Sequence, residues 1–302
     1  MRKLAAFASF WVAAASGIAA AQPAAWTAQA PSVAERFEPT VVARPNTEES
    51  MLTVGPGGSE IFWGVSRVWF PLSRVSEIWT ARRTSQGWSA GERAPFSFGY
   101  SDGDPFVSAD GQRVYFVSVR PVRAPRRDFD VYVVERTANG WGPARNLGPN
   151  VNSPEDELYP SVAADGTIYF ASERSGTWHI WRARLQSDGS YGRAEEVPAP
   201  VNLPNLWTFN PFISSDGRTL VFTGLNRPGG TGKGDIWIAR ADAAGVFGSV
   251  RNAGPAVNTS EEEFHPTISP DSRALFFVRR NTSRPDGNAD VFWIRTEAVG
   301  LH

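Results

Sequence analysis

The chain has 302 residues, a formal net charge of −1 and no cysteine. That length can bury a large core in one domain, and the charge balance lacks the basic stripe of a nucleic-acid binder. The missing thiol removes disulfides, a cysteine nucleophile and a lipidated cysteine from consideration.

Residues 1–21 read as a secretory signal. Arg2 and Lys3 form a positive start, Leu4 to Val12 is apolar, and Ala19-Ala20-Ala21 is a small-residue cleavage site before Gln22. The apolar stretch is too short to span a bilayer well. A mature chain of residues 22–302 in the periplasm or outside the cell is the expectation, with no membrane insertion after cleavage. Lysine is nearly absent, with Lys3 and Lys233 alone. Base composition of a GC-rich genome is the plainest account, and arginine also suits bidentate pairing with carboxylates.

Beyond the leader a phrase recurs. A weak copy, MLTVGPGGSEIFWGVSR, is followed by DPFVSADGQRVYFVSVR, YPSVAADGTIYFASER, NPFISSDGRTLVFTGLNR and HPTISPDSRALFFVRR. The turns at Gly57, Asp110, Asp165, Asp216 and Asp271 lie 53, 55, 51 and 55 residues apart. Each copy holds a short apolar run, an Asp-Gly-type turn, a second run such as Val114-Tyr115-Phe116, and a third such as Asp235-Ile236-Trp237. A fourth part starts at a Gly-aromatic pair or a variant of it: Gly87-Trp88, Gly140-Trp141, Tyr191-Gly192 and Phe247-Gly248. Asp-Gly between apolar runs signals a tight hairpin, because glycine accepts the positive φ that the turn needs. Four short antiparallel strands per repeat of this size describe one propeller blade.

The last copy stops after its third strand, near Trp293 and Ile294. The N-terminal segment around Trp26 is therefore expected to supply the missing outer strand and close the ring. The fold expected is all-β, a five-bladed β-propeller of four-stranded antiparallel blades. Six blades is the alternative, if Trp26 to Asn46 holds more than one strand.

The phrases SPDS-RALFF, SSDG-RTLVF and GDIW resemble the WD-like propeller repeat of the TolB family and related exported bacterial proteins. The resemblance covers roughly residues 45–295 and implies a propeller, not a particular role. TolB-type proteins have six blades and a separate N-terminal domain, for which this chain has no room.

Residues present in every copy serve the fold, so function is sought where the copies differ, on the face bearing the blade-to-blade connectors. These carry Glu48 and Glu49, Asp102 and Asp104, Asp156 and Glu157, and Glu262 and Glu263. The loops between second and third strands carry Arg67, Arg120, Arg174, Arg227, Arg279 and Arg280. Pairing of each arginine with a nearby carboxylate, tying blades together, is the structural expectation. A charged ring holding a polar ligand is the functional one. One connector, Asn205 to Asn210, has lost the acidic pair and gained Trp207, while matching positions hold Tyr159 and His265. Aromatic faces beside carboxylates suit a sugar or a peptide. The candidate rim is thus Glu49, Asp104, Glu157, Tyr159, Trp207, Glu263, His265, Arg120, Arg174 and Arg227.

Two loops stand apart, Arg120 to Asp128, basic and proline-containing, and Asn226 to Lys233, glycine-rich. The second lacks the spacing and the following helix of a phosphate loop. Histidine occurs three times, at His179, His265 and His302, too dispersed for a zinc set, and no G-x-S-x-G elbow is present. The leading expectation is a monomeric, non-enzymatic binder of an envelope protein or a glycan, with no cofactor, no metal and no nucleic acid. A glycoside hydrolase using Glu49, Asp104, Glu157 and Glu263 is the alternative, and a scaffold for envelope assembly is a third.

Overall fold

The computed structural model describes residues 26–38, 40–44, 46–68, 74–121, 128–281 and 289–301. The leader and the basic stretch 122–127 lie outside the described residues. Among the described residues no helix is long and apolar enough to cross a membrane.

The chain is a five-bladed propeller. The innermost strands are Glu48–Val54, Asp102–Val107, Glu157–Val162, Thr208–Ile213 and Glu262–Ile268. Each pairs antiparallel with a second strand across the Asp-Gly-type turn, and the second with a third. Neighbouring inner strands follow chain order around the ring, and the fifth packs against the first. Hydroxyls stitch them together: Ser161 Oγ accepts from Ile213 N at 2.9 Å and Thr53 Oγ1 from Val107 N at 3.3 Å. The hairpins are self-capped. Asp110 takes the Ser108 hydroxyl and the Gln112 amide, and Gly111 at φ 69° turns the chain.

The second strands supply the core. Phe62, Phe116, Phe170, Phe222 and Phe277 are all fully buried, from the apolar pair or triplet that recurs in the sequence. Another recurring phrase holds the third strands in place. Asn152, Asn202 and Asn258 each accept from a backbone N–H and donate to the C=O of one residue, Val131, Ile180 and Ile236 respectively, at 2.8–3.1 Å. A buried strand end has few other ways to satisfy both groups.

Ring closure by the N-terminus is observed, but nine to ten residues beyond the expected place around Trp26. The outer strand of the fifth blade is Glu35–Arg36, with Glu35 opposite Trp293 and Arg36 opposite Phe292. Trp26 instead fills the seam between last and first blades. Its ring lies 5.3 Å from Trp88 and 6.1 Å from both Phe276 and Trp293, and its Nε1 donates to Gly58 O at 3.0 Å. The seam is also tied by Ala289 N donating to Glu48 Oε2 at 2.8 Å.

Candidate functional site

The carboxylates at the start of the inner strands form a repeated clasp. Glu157 is fully buried; its Oε1 receives Arg174 Nη2 at 2.7 Å, Ser172 Oγ at 2.8 Å and Ser153 Oγ at 2.6 Å, and its Oε2 receives Ser153 N at 2.7 Å. Arg174 also donates to Val151 O, in the connector that caps the preceding blade. In the fifth blade, Glu263 takes Arg279 Nε at 2.8 Å and Thr259 Oγ1 at 2.6 Å, while Arg279 Nη2 reaches Val257 O at 2.8 Å. In the second blade, the carboxylate is Asp102, held by Arg120 at 2.5 Å, and Arg120 Nη2 reaches Phe96 O at 2.6 Å. The expected arginine–carboxylate pairing is therefore present in three of the five blades, where it ties blades together through the carbonyl of the previous connector; no ion pair to Arg67 or Arg227 is seen among the described residues.

Two blades carry half a clasp. Glu49 in the first is buried; its Oε1 accepts from Thr47 Oγ1 at 2.8 Å and from the backbone N of Arg44 at 3.4 Å, and among the described residues no arginine side chain pairs with it and its Oε2 has no hydrogen-bond partner. Burial pushes its carboxyl up to about 8. In the fourth blade Thr208 replaces the acid, and Arg227 donates to Val201 O at 2.8 Å and to Pro200 O. Burial lowers its affinity for the proton.

Asp104, Tyr159 and His265, expected at the rim, are interior. Each inner strand contains a bulge, where the register with the second strand slips. The first bulged residues are Met51, Asp104, Tyr159, Asn210 and His265, and the last four have φ between 48° and 59° and precede a proline. Proline lacks the N–H that a regular ladder would use, so a bulge accommodates it. The left-handed turn aims these side chains at the axis. Asn210 Nδ2 donates to His265 Nδ1 at 3.3 Å, and Asn210 Oδ1 accepts from His265 N at 3.3 Å. The Tyr159 and His265 rings, from blades that are not neighbours, meet at 5.2 Å. Asp104 accepts from Tyr159 N at 3.3 Å, and its Oδ1 has no partner among the described residues.

Burial pushes the Asp104 carboxyl and the Tyr159 phenol well above their ordinary ranges. It lowers His265 to about 3, so the imidazole is neutral at physiological pH. These buried polar groups form an axial plug, and burial favours the uncharged form of each titratable member.

Trp207 is exposed, at 48%. Two further aromatics on the same face, Phe98 at 57% and Tyr100 at 48%, were not singled out from the sequence. The signal was present: Phe96-Ser97-Phe98-Gly99-Tyr100 puts three aromatics in one short connector, and one of them, Phe96, goes inside. Arg93 lies over Phe98 at 5.2 Å and Arg120 over Tyr100 at 5.1 Å, which fixes both rings from below.

The glycine-rich loop holds no anion cradle. Its Thr231 and Gly232 amides are given to Asp235, at 2.8 and 3.3 Å. His179 is bound to Glu196 at 2.6 Å, and His302 lies outside the described residues. Among the described residues no group of three or more His, Cys, Asp or Glu could hold a metal ion.

No family model matches the chain, and no curated protein matches it. Solved structures do. A TolB candidate from Agrobacterium tumefaciens is 17% identical over 83% of this chain and 78% of that one, with a TM-score of 0.54. A thermostable family-43 glycoside hydrolase is 14% identical over 86% and 92%, at 0.58. The GH43 endo-arabinanase from Bacillus licheniformis is 12% identical over 84% and 96%, at 0.52. Identities this low show a shared propeller fold and nothing of activity.

Proposed function

We propose that the chain is an exported, non-enzymatic propeller that binds a protein or glycan partner through its connector face. The observation that carries this reading is a division of labour on that face. Its inner carboxylates Glu49, Asp102, Asp104, Glu157 and Glu263 are all buried, whereas Trp207, Phe98 and Tyr100 stand out in solvent. Large exposed aromatics with polar neighbours mark binding surfaces. The two aromatic connectors join blades one to two and three to four, so a partner touching both spans the axis. Glycoside hydrolysis needs an acid facing a second carboxylate across a gap that admits the sugar. Glu157 and Glu263 are held by arginines and hydroxyls instead, which weighs against that chemistry.

A photo-cross-linking residue in place of Trp207, in the native envelope, tests the proposal. One dominant adduct is expected, lost on Phe98→Ala/Tyr100→Ala and absent when the cross-linker replaces Val246 on the opposite face. Equal labelling from both faces sinks it. So does oligosaccharide hydrolysis by the purified protein that disappears in Glu157→Gln while the variant still folds.

A further inference from the structure

The opposite end of the channel carries a second site, which does not depend on the connector face. Below the axial plug, a cavity of about 460 Å³ opens among the Asp-Gly hairpins. All five blades wall it, through Val54, Phe106, Val162, Phe212 and Ile268. The plug residues Asp104, Tyr159, Asn210 and His265 are buried, and none of them lines the cavity. Its volume lies within the range of small-molecule pockets, roughly 300–1,000 Å³.

The polar groups at the mouth divide into spent and available. Ser108, Ser214 and Ser269 donate to the aspartates of their own turns. Asp216, the carboxylate on the lip, faces back into its hairpin, accepting from Ser214 Oγ and Arg218 N. Arg240 is different. It is exposed, donates Nη1 to Thr219 Oγ1 at 2.8 Å, and forms no ion pair within 4 Å among the described residues, although the Asp216 carboxylate on the same lip lies close enough to feel its charge. A pocket whose floor is apolar, formed by Val54, Phe106, Val162, Phe212 and Ile268, with an anchored guanidinium at its polar lip is complementary to an apolar body ending in an anion.

We propose that this channel end binds a small amphipathic carboxylate of the fatty-acid type, its chain among Val54, Phe106 and Phe212 and its head group on Arg240.

Calorimetric titration and thermal shift of the purified protein test this, with decanoate as the probe and decan-1-ol and decyltrimethylammonium as controls. Decanoate should bind saturably, one per chain, about fivefold more tightly than decan-1-ol, the scale of a partly exposed ion pair, and the cation should bind least. Arg240→Gln should lower decanoate to the affinity of decan-1-ol and leave decan-1-ol unchanged. Ala109→Trp/Ser215→Trp, which crowds the mouth from two hairpins, should abolish both. Its unliganded melting temperature reports whether the fold is intact, and Arg240→Gln, an exposed change, carries the test by itself if it is not. No saturable binding of decanoate, equal binding of acid and alcohol, or decanoate binding untouched by Arg240→Gln overturns the proposal. Trp207→Ala should leave this binding unaltered, so its failure and that of the connector face are read separately.

Discussion

The first and fourth blades carry complementary halves of one device. Glu49 occupies the clasp position without an arginine, and Arg227 occupies the arginine's place without a carboxylate. The molecule resolves the two by different means. A buried carboxyl can keep its proton, and Glu49 is pushed up to about 8. A guanidinium cannot discharge at any ordinary pH, so Arg227 is satisfied by two backbone carbonyls and by the faces of Phe222 and Trp237, at 5.5 and 5.1 Å. The arginine contact common to blades two to five is therefore the connector carbonyl, and the carboxylate is the part that the fourth blade dispenses with. Blade-to-blade linkage is conserved in geometry even where the ion pair is not.

Breaking an intact clasp is the largest perturbation. Glu263→Ala leaves the largely buried Arg279 with Val257 O and the faces of Phe277 and Phe292 but no carboxylate, and should cost about 3 kcal/mol, the lower end of the scale for a buried charge stripped of its partner. Chemical denaturation measures it. Glu263→Ala/Arg279→Leu should recover much of the loss, and a double variant no more stable than the single one would show that the acid acts through Thr259 instead.

The half-clasp of the first blade predicts a pH dependence. Glu49 has its proton affinity raised in the folded state, so the unfolded chain ionises first as pH rises. Its stabilising contribution is intact below about 4.5 and declines until about 8. Glu49→Gln should flatten the melting-temperature profile across that window and gain on the order of 3 kcal/mol near pH 7, while changing little at pH 4. A gain that is equal at both pH values would refute the assignment.

Much of this architecture is legible in the sequence. The repeat gave the blade count, and recurring arginines and carboxylates gave the pairing. The internal register of the inner strand was not readable. Every inner strand carries the bulge at the same place, so Asp102 is the counterpart of Glu157, and grouping Asp104 with the rim carboxylates overlooks that the bulged residue turns to the interior with Tyr159, Asn210 and His265. Tyr159 and His265 moved from rim to axis for the same reason. The X-Pro pairs Asp104-Pro105, Tyr159-Pro160, Asn210-Pro211 and His265-Pro266 mark the bulge, because proline inside an inner strand needs one. The closing strand was misplaced because Glu35–Arg36 is two charged residues with no strand signature; Trp26 drew attention and proved to be seam filling.

The fourth blade yields the smaller effects. Thr208 is buried, but its hydroxyl has no partner among the described residues, so Thr208→Ala should cost less than about 1 kcal/mol where the acid at the same position in the fifth blade costs several.

Smallest of all in stability is Trp207→Ala, one residue earlier in the chain. Its side chain is half exposed, and its backbone C=O, which accepts from Leu225 N at 2.9 Å, survives the substitution. The melting curve should shift by no more than about 0.5 kcal/mol, while partner capture on the connector face is lost. Neighbouring positions then separate cleanly: 208 reports on the clasp that the fourth blade lacks, and 207 on the surface that replaced its acidic pair. A large stability loss at Trp207→Ala would place the indole among the structural side chains and remove the observation on which the binding surface rests.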